Sequence, residues 1–598
     1  MVVITIFIFT GIIQADNFMK LNEIKSGMTG IGKTVFKGTK VENFPIKVVE
    51  VINNNLNNNL ILIKATGNKI ERIGGIAAGM SGSPIYINGK LAGALAYAWK
   101  NTNYHYAMVT PINRMLKLFN KDKAEKKAVN EMKLKSPLVV SGIRGRALKQ
   151  LKKDLSPYGM QVLTGSGAEN FKKNGSDTTL KPGSAVAVQL VRGDISIASI
   201  GTLTYINNGD ILAFGHPFTN KGDVNFLLSK AYINTIIPSR TQPFKLGTPF
   251  DKLLGIINQD RGAGIAGNIN QYPQVIPLTI NVKDITRGIE QQVIVQLIDN
   301  EPFLTYLGNN IVLQAIDNTI DRIGEGTARV NIKMMGKGIP DLKLERENIF
   351  YSRNDIALQA LSDFSRLLNI ISSNSFREID IKDLKLDINV TRQHKTALLQ
   401  KTKVLNQDIY PGDTLKLELT LHPFRKPTLK KIIKIKLPET INDGITNVLI
   451  SGGQISSYSQ LPQNHGQNQE NNNYEIKQDQ ITGYKSFDSM LDDFLDAPHN
   501  NDLIVKVFPG YSKPPLPNKK SNKKTTNNKT TDNNKKTDDN TDKNKKENEM
   551  EPNNKLKSSA SKNKKEIKKI VETDYVLSGT LNLQIKVKKK SNSTSNKK

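Results

Sequence analysis

The sequence contains no cysteine among its 598 residues. This absence excludes disulfide bonds, thiolate zinc sites and a cysteine nucleophile. Aromatic residues are also scarce, at 6%, and tryptophan occurs once, whereas glycine occurs 43 times. Such a composition is more typical of turn-rich β proteins than of helical ones. Because the chain is longer than one hydrophobic core usually serves, we expect a mainly β protein with two or three folded units.

Long apolar runs are lacking, except for an uncharged segment from Val2 to Ile13 at the N-terminus. That segment is too short to cross a membrane comfortably. It resembles the hydrophobic region of a signal peptide that ends near Ala15, although no Lys or Arg precedes it. We expect residues 1–16 to be a signal peptide or an N-terminal anchor, which predicts an extracytoplasmic protein, either secreted or membrane-anchored.

The formal net charge is +30, which raises the question of a nucleic-acid partner. Much of the lysine excess, however, lies in an Asn-, Lys- and Asp-rich stretch over residues 464–564. A segment with so few apolar residues is expected to be disordered, with one short exception, SMLDDFLDA followed by NDLIVKVFPGY, which is a candidate for docking on the fold. The basic character therefore belongs to a tail, and it indicates contact with an anionic cell-wall or membrane surface, with no nucleic acid expected.

Composition and turn signals divide the remaining chain into segments. Asn88-Gly89 lies between two apolar runs and predicts a hairpin. One helix is expected over residues 354–371, and the segments around residues 390–437 predict an immunoglobulin-like sandwich. The expected segments are a first β lobe (17–120), a helical connector region (121–180), a second β lobe (181–283), a β-rich C-terminal domain (284–463), and a terminal strand with a basic tail (565–598).

The segment GGIAAGMSGSPIYINGKLAGALAY, from Gly74 to Tyr97, has the features of a nucleophile turn. A nucleophilic serine needs a tight turn whose N–H groups stabilise an oxyanion. Ser81 is the candidate nucleophile, and the N–H groups of Gly79 and Ser81 are the candidate oxyanion hole. A bare Gly-X-Ser-Gly favours an ordinary turn, but the longer string that continues through Pro84 into a strand is more specific.

A serine nucleophile also needs a base within hydrogen-bond reach. His216 in GDILAFGHPF is the candidate among the six histidines, and His105 in NYHYAMV is the runner-up. Taken alone, a histidine such as His216 is more often a structural turn residue than a base.

Two segments together resemble the SpoIVB-type serine peptidases, a trypsin-like family. GGIAAGMSGSPI resembles the serine motif of that family, and IGTLTYINNGDILAFGHPF resembles its histidine segment. The resemblance covers about residues 22–282 and implies a trypsin-like double β-barrel, followed here by a β-sandwich-like domain and the disordered basic segment. In the family the histidine precedes the serine, whereas Ser81 precedes His216 here, so the two lobes are permuted. Catalytic triads depend on spatial roles and not on chain order.

The third member of the triad departs from the family pattern. The position that matches the family's aspartate is occupied by Thr66. Substitutes in the sequence are Asp210, Asp223 and Asp260; we choose Asp223, because a loop after His216 can fold back to it. A Ser–His dyad is the alternative. Loss of the orienting carboxylate lowers turnover by about four orders of magnitude in a chymotrypsin-like triad.

Two functions follow from the sequence. The first is an exported serine endopeptidase that cleaves protein substrates through an acyl-enzyme, in limited regulatory proteolysis, with no cofactor and no metal. The second is a catalytically weak or inactive peptidase-like surface or scaffold protein that binds envelope components.

Overall fold

The computed structural model describes residues 17–52, 59–99, 102–120, 137–165, 178–239, 242–454, 484–509 and 566–589. The chain forms two compact units: unit 1 contains residues 1–394 and 468–497, and unit 2 contains residues 395–467 and 498–598. The expected signal peptide or anchor at residues 1–16 lies outside the described residues. So does most of the segment expected to be disordered.

The first part of unit 1 is a closed barrel of six strands, paired in the order β1-β2-β3-β6-β5-β4. In β2, Phe44, Ile46 and Val48 are buried and alternate with more exposed residues, as expected for a strand with one face on a core. The predicted hairpin at Asn88-Gly89 is confirmed by the pairing of Ile87 with Lys90. The elements are β1 (Thr29–Val35), β2 (Val41–Ile52), β3 (Leu60–Ala65), α1 (Asn68–Ile73), β4 (Pro84–Ile87), β5 (Lys90–Tyr97), β6 (Tyr106–Pro111) and α2 (Ile112–Leu116).

The second part of unit 1 contains another closed ring of six strands, within a sheet of 13 strands. The ring runs β9-β12-β13-β14-β11-β10 and closes because β10 also pairs with β9. Valine and isoleucine side chains fill its interior, since strands buried on both sides read as nearly continuous apolar runs. The elements are β7 (Leu138–Ser141), α3 (Gly145–Leu155), β8 (Val162–Thr164), β9 (Ala185–Gly193), β10 (Ser196–Asn207), β11 (Asp210–Ala213), β12 (Gly222–Ile237), β13 (Phe244–Arg261) and β14 (Gly264–Asn268).

The same sheet continues beyond β9 through five strands in the order β16-β15-β19-β17-β18, and four helices complete unit 1. The added strands are β15 (Val275–Asp284), β16 (Ile289–Ile298), β17 (Gly326–Lys337), β18 (Lys343–Ser352) and β19 (Asp380–Thr391). The helices are α4 (Glu301–Ile320), α5 (Ile356–Ala360), α6 (Ser362–Ser372) and α7 (Phe487–Leu495).

The expectation of a single helix between residues 284 and 463 is wrong. Helices α5 and α6 occupy the segment where that helix was expected, but α4 is an additional helix of 20 residues. Buried residues lie on nearly every side of α4, among them Leu304, Ile311 and Leu313. Its polar residues Asn310 and Gln314 are buried as well, each 2% exposed, and hydrogen-bond to Asp154 and to the N–H of Arg144. Helix α4 therefore lacks the solvent-exposed polar face by which an amphipathic helix is recognised in a sequence.

Part of the segment expected to be disordered is folded. Helix α7 begins with a capping box at Ser486 and buries Phe487 and Phe494 in the core of unit 1. The buried guanidinium of Arg346 lies over the Phe494 ring, 5.0 Å from its centroid, and donates to the carbonyl oxygen of Leu495 at 3.1 Å. The C-terminal end of the helix is thereby tied to β18.

Unit 2 is a sandwich of two four-stranded sheets with a shared apolar core. Its sheets are ordered β22-β21-β20-β26 and β25-β24-β23-β27. A sandwich was expected in this part of the chain, and the mainly β fold with barrels followed by a sandwich is confirmed. The strands are β20 (Thr396–Val404), β21 (Thr414–Pro423), β22 (Leu429–Lys436), β23 (Gly444–Gly452), β24 (Asp502–Phe508), β25 (Ile567–Glu572), β26 (Val576–Ser578) and β27 (Thr580–Val587).

The compact units divide the chain differently from the expected segments. The expected boundary after residue 283 falls within β15, because the strands that follow continue the same sheet. The two units instead separate after His394. Among the described helices, none has both the length and the apolar character needed to cross a membrane.

Docking of α7 can be tested by replacing Phe494, which is 0% exposed, with alanine. Removing a fully buried phenyl ring should lower the free energy of unfolding by about 3–5 kcal/mol. The matched control is Phe376→Ala, since Phe376 is 42% exposed and its loss should change the free energy by less than about 1 kcal/mol. Urea denaturation measures both variants, and equal losses would show that α7 does not contribute to the core.

Candidate functional site

Ser81 lies in the turn that connects α1 to β4, and it is 0% exposed. The turn is closed by the N–H of Ser83, which donates to the carbonyl oxygen of Met80 at 2.9 Å. Gly79 and Gly82 have φ angles of 91° and 88°. Side-chain-bearing residues rarely adopt these values, so the turn around the serine depends on glycine at both positions.

The second barrel holds this turn through two threonines of β10. The N–H of Thr202 donates to the carbonyl oxygen of Ser81 at 2.9 Å, and the hydroxyl of Thr202 donates to the carbonyl oxygen of Gly79 at 3.1 Å. The hydroxyl of Thr204 donates to the carbonyl oxygen of Gly82 at 2.8 Å. Carbonyl groups of the serine turn are therefore fixed by a neighbouring barrel, which leaves the turn little freedom.

The serine turn also packs against the backbone that leads to His216. A Cβ atom on Gly82 would lie 2.5 Å from the nitrogen of Phe214, so no side chain fits there. The N–H of Gly82 donates to the carbonyl oxygen of Leu95 at 2.7 Å, and a Cβ atom on Gly215 would lie 3.1 Å from that same oxygen. The structure thus brings the predicted serine and histidine segments together at β5.

His216 follows β11 and is 2% exposed. Its ring lies between two aromatic rings, with centroid distances of 6.0 Å to Phe214 and 6.1 Å to Tyr97. Nδ1 is 2.9 Å from the carbonyl oxygen of Pro217. In the tautomer that carries its proton on Nδ1, the ring donates to this carbonyl and Nε2 keeps the lone pair that a general base requires.

The backbone that leads to His216 is strained. Phe214 has a φ angle of 66°, which is an unusual value for a bulky residue and costs about 1–2 kcal/mol. The conformation is held by complete burial of Phe214 and by the hydroxyl of Thr110, which donates to the carbonyl oxygen of Gly215 at 2.6 Å. Strain of this kind is concentrated at functional sites.

Asp223, the residue chosen as the third member, has other partners. Its side chain is 72% exposed, accepts from the Gln259 amide at 2.6 Å and pairs with Arg261 at 3.1 Å. It makes no contact with His216 in the part of the chain that the structure describes. Asp210, the exposed first residue of β11, accepts a hydrogen bond from Asn268.

Asp260 is buried and anchors the loop that follows His216. Its carboxylate accepts hydrogen bonds from the N–H groups of Phe218, Thr219 and Asn220 at 2.7, 2.5 and 2.9 Å, and from the Thr219 hydroxyl at 2.6 Å. Burial raises the pKa of Asp260, and these hydrogen bonds oppose the increase. This carboxylate acts on the histidine segment through the backbone of its loop.

The runner-up histidine and the substituted aspartate position both lie in the first barrel. His105 faces Asn103, at 2.7 Å from Nδ1, and Glu71, at 3.3 Å from Nε2. It makes no contact with Ser81 among the described residues. Thr66 follows β3, and its N–H donates to the carbonyl oxygen of Pro45 at 3.0 Å.

Within the described ranges, no three candidate metal ligands converge on one point.

The N–H of Gly79 donates no hydrogen bond to any described residue, which leaves it available to stabilise an oxyanion. The side chain of Lys245 packs against this glycine: a Cβ atom on Gly79 would lie 3.0 Å from Cβ of Lys245. The backbone N–H of Lys245 also donates to the carbonyl oxygen of Ala78 at 2.9 Å.

Lys245 is 1% exposed and extends beneath the serine turn. Its Nζ donates to the hydroxyl of Thr34 at 2.7 Å and lies 3.4 Å from that of Thr202, with no carboxylate partner among the described residues. Burial lowers the pKa of Lys245 from 10.5 to about 7. The sequence did not indicate this residue, because one lysine between Phe244 and Leu246 fits an ordinary half-exposed strand.

Residues 14–116 match the family model described as SpoIVB peptidase S55. This match confirms the family resemblance for the part of the chain that carries Ser81, and it supports a serine peptidase in general. The histidine segment lies outside the S55 match. Comparison with curated proteins and with solved structures gave no match.

The buried lysine predicts a specific pH dependence of stability. The pKa of Lys245 is lower in the folded chain than its unfolded value of 10.5, so the unfolded chain binds more protons between about pH 7 and 10.5 and stability rises with pH in that window. Replacing Lys245 with Met should stabilise the protein by about 3–5 kcal/mol at pH 6 and by little near pH 10.5.

The matched control for this measurement is Lys252→Met, at an exposed position of the same strand. Urea denaturation of the wild type and both variants, repeated from pH 6 to pH 10, gives the slope of the free energy of unfolding against pH for each protein. A Lys245→Met slope equal to that of the wild type would contradict a neutral buried amine.

The contributions of Asp260 and Asp223 to stability can be distinguished by isosteric substitution. Asp260→Asn should lower the free energy of unfolding by about 2–4 kcal/mol, because an amide leaves buried N–H donors without acceptors. Asp223→Asn should cost less than about 1 kcal/mol, since its ion pair is largely exposed. Losses of the same size in denaturant titrations would mean that Asp260 does not anchor the loop.

Proposed function

We propose that this protein is an exported serine endopeptidase with Ser81 as nucleophile and His216 as general base. The observation that carries the proposal is the packing of the S55-matched serine turn, at Gly82, against the backbone of Phe214. Two segments far apart in the sequence meet where a serine and a histidine are both required. Export is proposed from the signal-like segment at residues 1–16.

The proposed reaction assigns a step to each of these groups. His216 Nε2 takes the proton from Ser81 Oγ as the oxygen attacks the substrate carbonyl. The N–H groups of Gly79 and Ser81 stabilise the negative oxygen of the tetrahedral intermediate. Its collapse breaks the C–N bond, and the protonated imidazole returns the proton to the leaving amine. Water then attacks the acyl-enzyme with His216 again as base, which releases the acid and restores the hydroxyl.

We propose that the backbone orients the His216 ring in this dyad. The carbonyl oxygen of Pro217 accepts from Nδ1 at 2.9 Å, in the place of the triad carboxylate. A neutral carbonyl stabilises an imidazolium less than an aspartate does, so we expect slow turnover. Slow turnover suits limited regulatory cleavage better than general degradation.

A second candidate function is a catalytically weak or inactive scaffold that binds envelope components. Two observations favour it: Thr66 occupies the family's aspartate position, and Asp223 contacts Arg261 and not His216. The two functions differ in whether Ser81 is chemically activated, and this can be measured directly.

Active-site labelling with a fluorophosphonate probe tests the proposal. The folded wild type should form an adduct that mass spectrometry locates on Ser81, and Ser81→Ala should form none. His216→Ala should slow labelling by about 100-fold or more, because the base is lost. Asp223→Asn should label at the wild-type rate if the site is a dyad, whereas a rate lower by orders of magnitude would restore Asp223 as a triad member.

Thermal unfolding of each variant provides the control for folding, and heat-denatured wild type provides the background. Absence of a Ser81 adduct in the folded protein would overturn the peptidase and favour the scaffold. So would labelling that is unchanged in a folded His216→Ala variant.

A further inference from the structure

One face of the sandwich in unit 2 is unusually rich in lysine. On the outward side of β20, β21 and β22, the only acidic residue is Glu418, which pairs with Lys430 at 3.1 Å. The exposed lysines of this face, called the lysine face below, are Lys401, Lys403, Lys416, Lys430, Lys434 and Lys436. Its charge is therefore strongly positive although the strands themselves are short.

The register of the strands places like charges opposite one another. Lys416 of β21 lies directly across from Lys434 of β22, an arrangement that destabilises a sheet. Neither lysine forms an ion pair among the described residues, and neither does Lys436. These three lysines therefore gain nothing from ion pairs within the sheet, whereas Lys403 lies across from Glu418.

The opposite sheet of the same sandwich carries fewer exposed lysines. The outward positions of β27 are the uncharged Thr580, Asn582 and Gln584 followed by Lys586, and β25 adds Lys568 and Lys569. Both sheets have one face on the shared core, so they face the same requirement for a polar outer surface. The six exposed lysines of the lysine face, against three on β25 and β27, are therefore an excess that this shared requirement does not explain.

Apolar side chains among the lysines identify the kind of partner. Ile432 lies between Lys430 and Lys434 on β22 and is 56% exposed, and Leu398 of β20 is 47% exposed. A soluble polyanion provides no apolar environment for these side chains. At a bilayer surface, the boundary between headgroups and acyl chains buries them, and the lysines contact anionic headgroups.

We propose that the lysine face binds the surface of an anionic lipid bilayer. Adjacent strands are about 4.8 Å apart and alternate residues about 7 Å apart, so the lysines form a flat array that meets many headgroups at once. Binding depends on salt, since the attraction is screened within about 10 Å at 0.1 M ionic strength. This inference is independent of the proposed peptidase activity and requires no chemistry at Ser81.

Sedimentation of the full chain with vesicles tests the inference. The wild type should bind vesicles of 30% phosphatidylglycerol in phosphatidylcholine, and bind pure phosphatidylcholine far less. The triple variant Lys416→Gln/Lys434→Gln/Lys436→Gln should lose about 100-fold in partition coefficient. The matched control, Lys568→Gln/Lys569→Gln/Lys586→Gln, removes three exposed lysines from the other sheet and should lose less than about threefold.

All these variants retain the Lys-rich segment and the apolar N-terminal run, so the difference between them reports the lysine face alone. Equal losses in both triple variants would overturn the inference and assign binding to net charge or to the tail. Ile432→Ser should weaken binding to vesicles while leaving binding to polyphosphate unchanged. If Ile432→Ser leaves vesicle binding unchanged, and polyphosphate binds as tightly as vesicles do, the inference is overturned in favour of a soluble polyanion. Unfolding curves verify that each variant is folded.

Discussion

The site depends on one close approach between two backbones. A side chain at Gly82 would begin 2.5 Å from the nitrogen of Phe214 and 2.0 Å from the carbonyl oxygen of Thr202. Because Gly82 has none, the two barrels meet main chain to main chain, and hydrogen bonds from Thr202 and Thr204 then fix the serine turn. Permuting the order of the lobes does not alter this contact, since it involves loops and strands that need only be adjacent in space.

Among the described residues, none of the three aspartates considered for the triad contacts the proposed base, His216. A main-chain carbonyl contacts Nδ1 of His216, and the buried carboxylate of Asp260 instead holds the next loop. Beneath the serine turn, Lys245 supplies an amine whose only partners among the described residues are hydroxyl groups. Order at the site therefore comes mostly from neutral hydrogen bonds, which persist over a wide pH range better than ion pairs do.

Local patterns predicted those features that depend on neighbouring residues. The Asn88-Gly89 hairpin, the glycines that flank Ser81 and the sandwich strands all follow from short-range rules. Features determined by packing were not predicted. Helix α4 is buried on nearly every side, its polar residues Asn310 and Gln314 included, and burial of Lys245 depends on contacts with residues more than 150 positions away. For the same reason the sequence provided no physical basis for choosing Asp223 over Asp260 as the partner of His216, since both follow it and only the fold separates them.

The interleaving of the two units has a consequence for how the protein is made. The chain leaves unit 1 after His394, returns to it with α7, and completes unit 2 only with β25, β26 and β27. Neither unit has all its strands and helices until well after its first half has been synthesised. Each sheet of the sandwich obtains a strand from the last described segment, residues 566–589. A chain terminated near residue 560 would expose unpaired edges in both sheets, and early segments must wait for distant partners, which slows folding and favours aggregation.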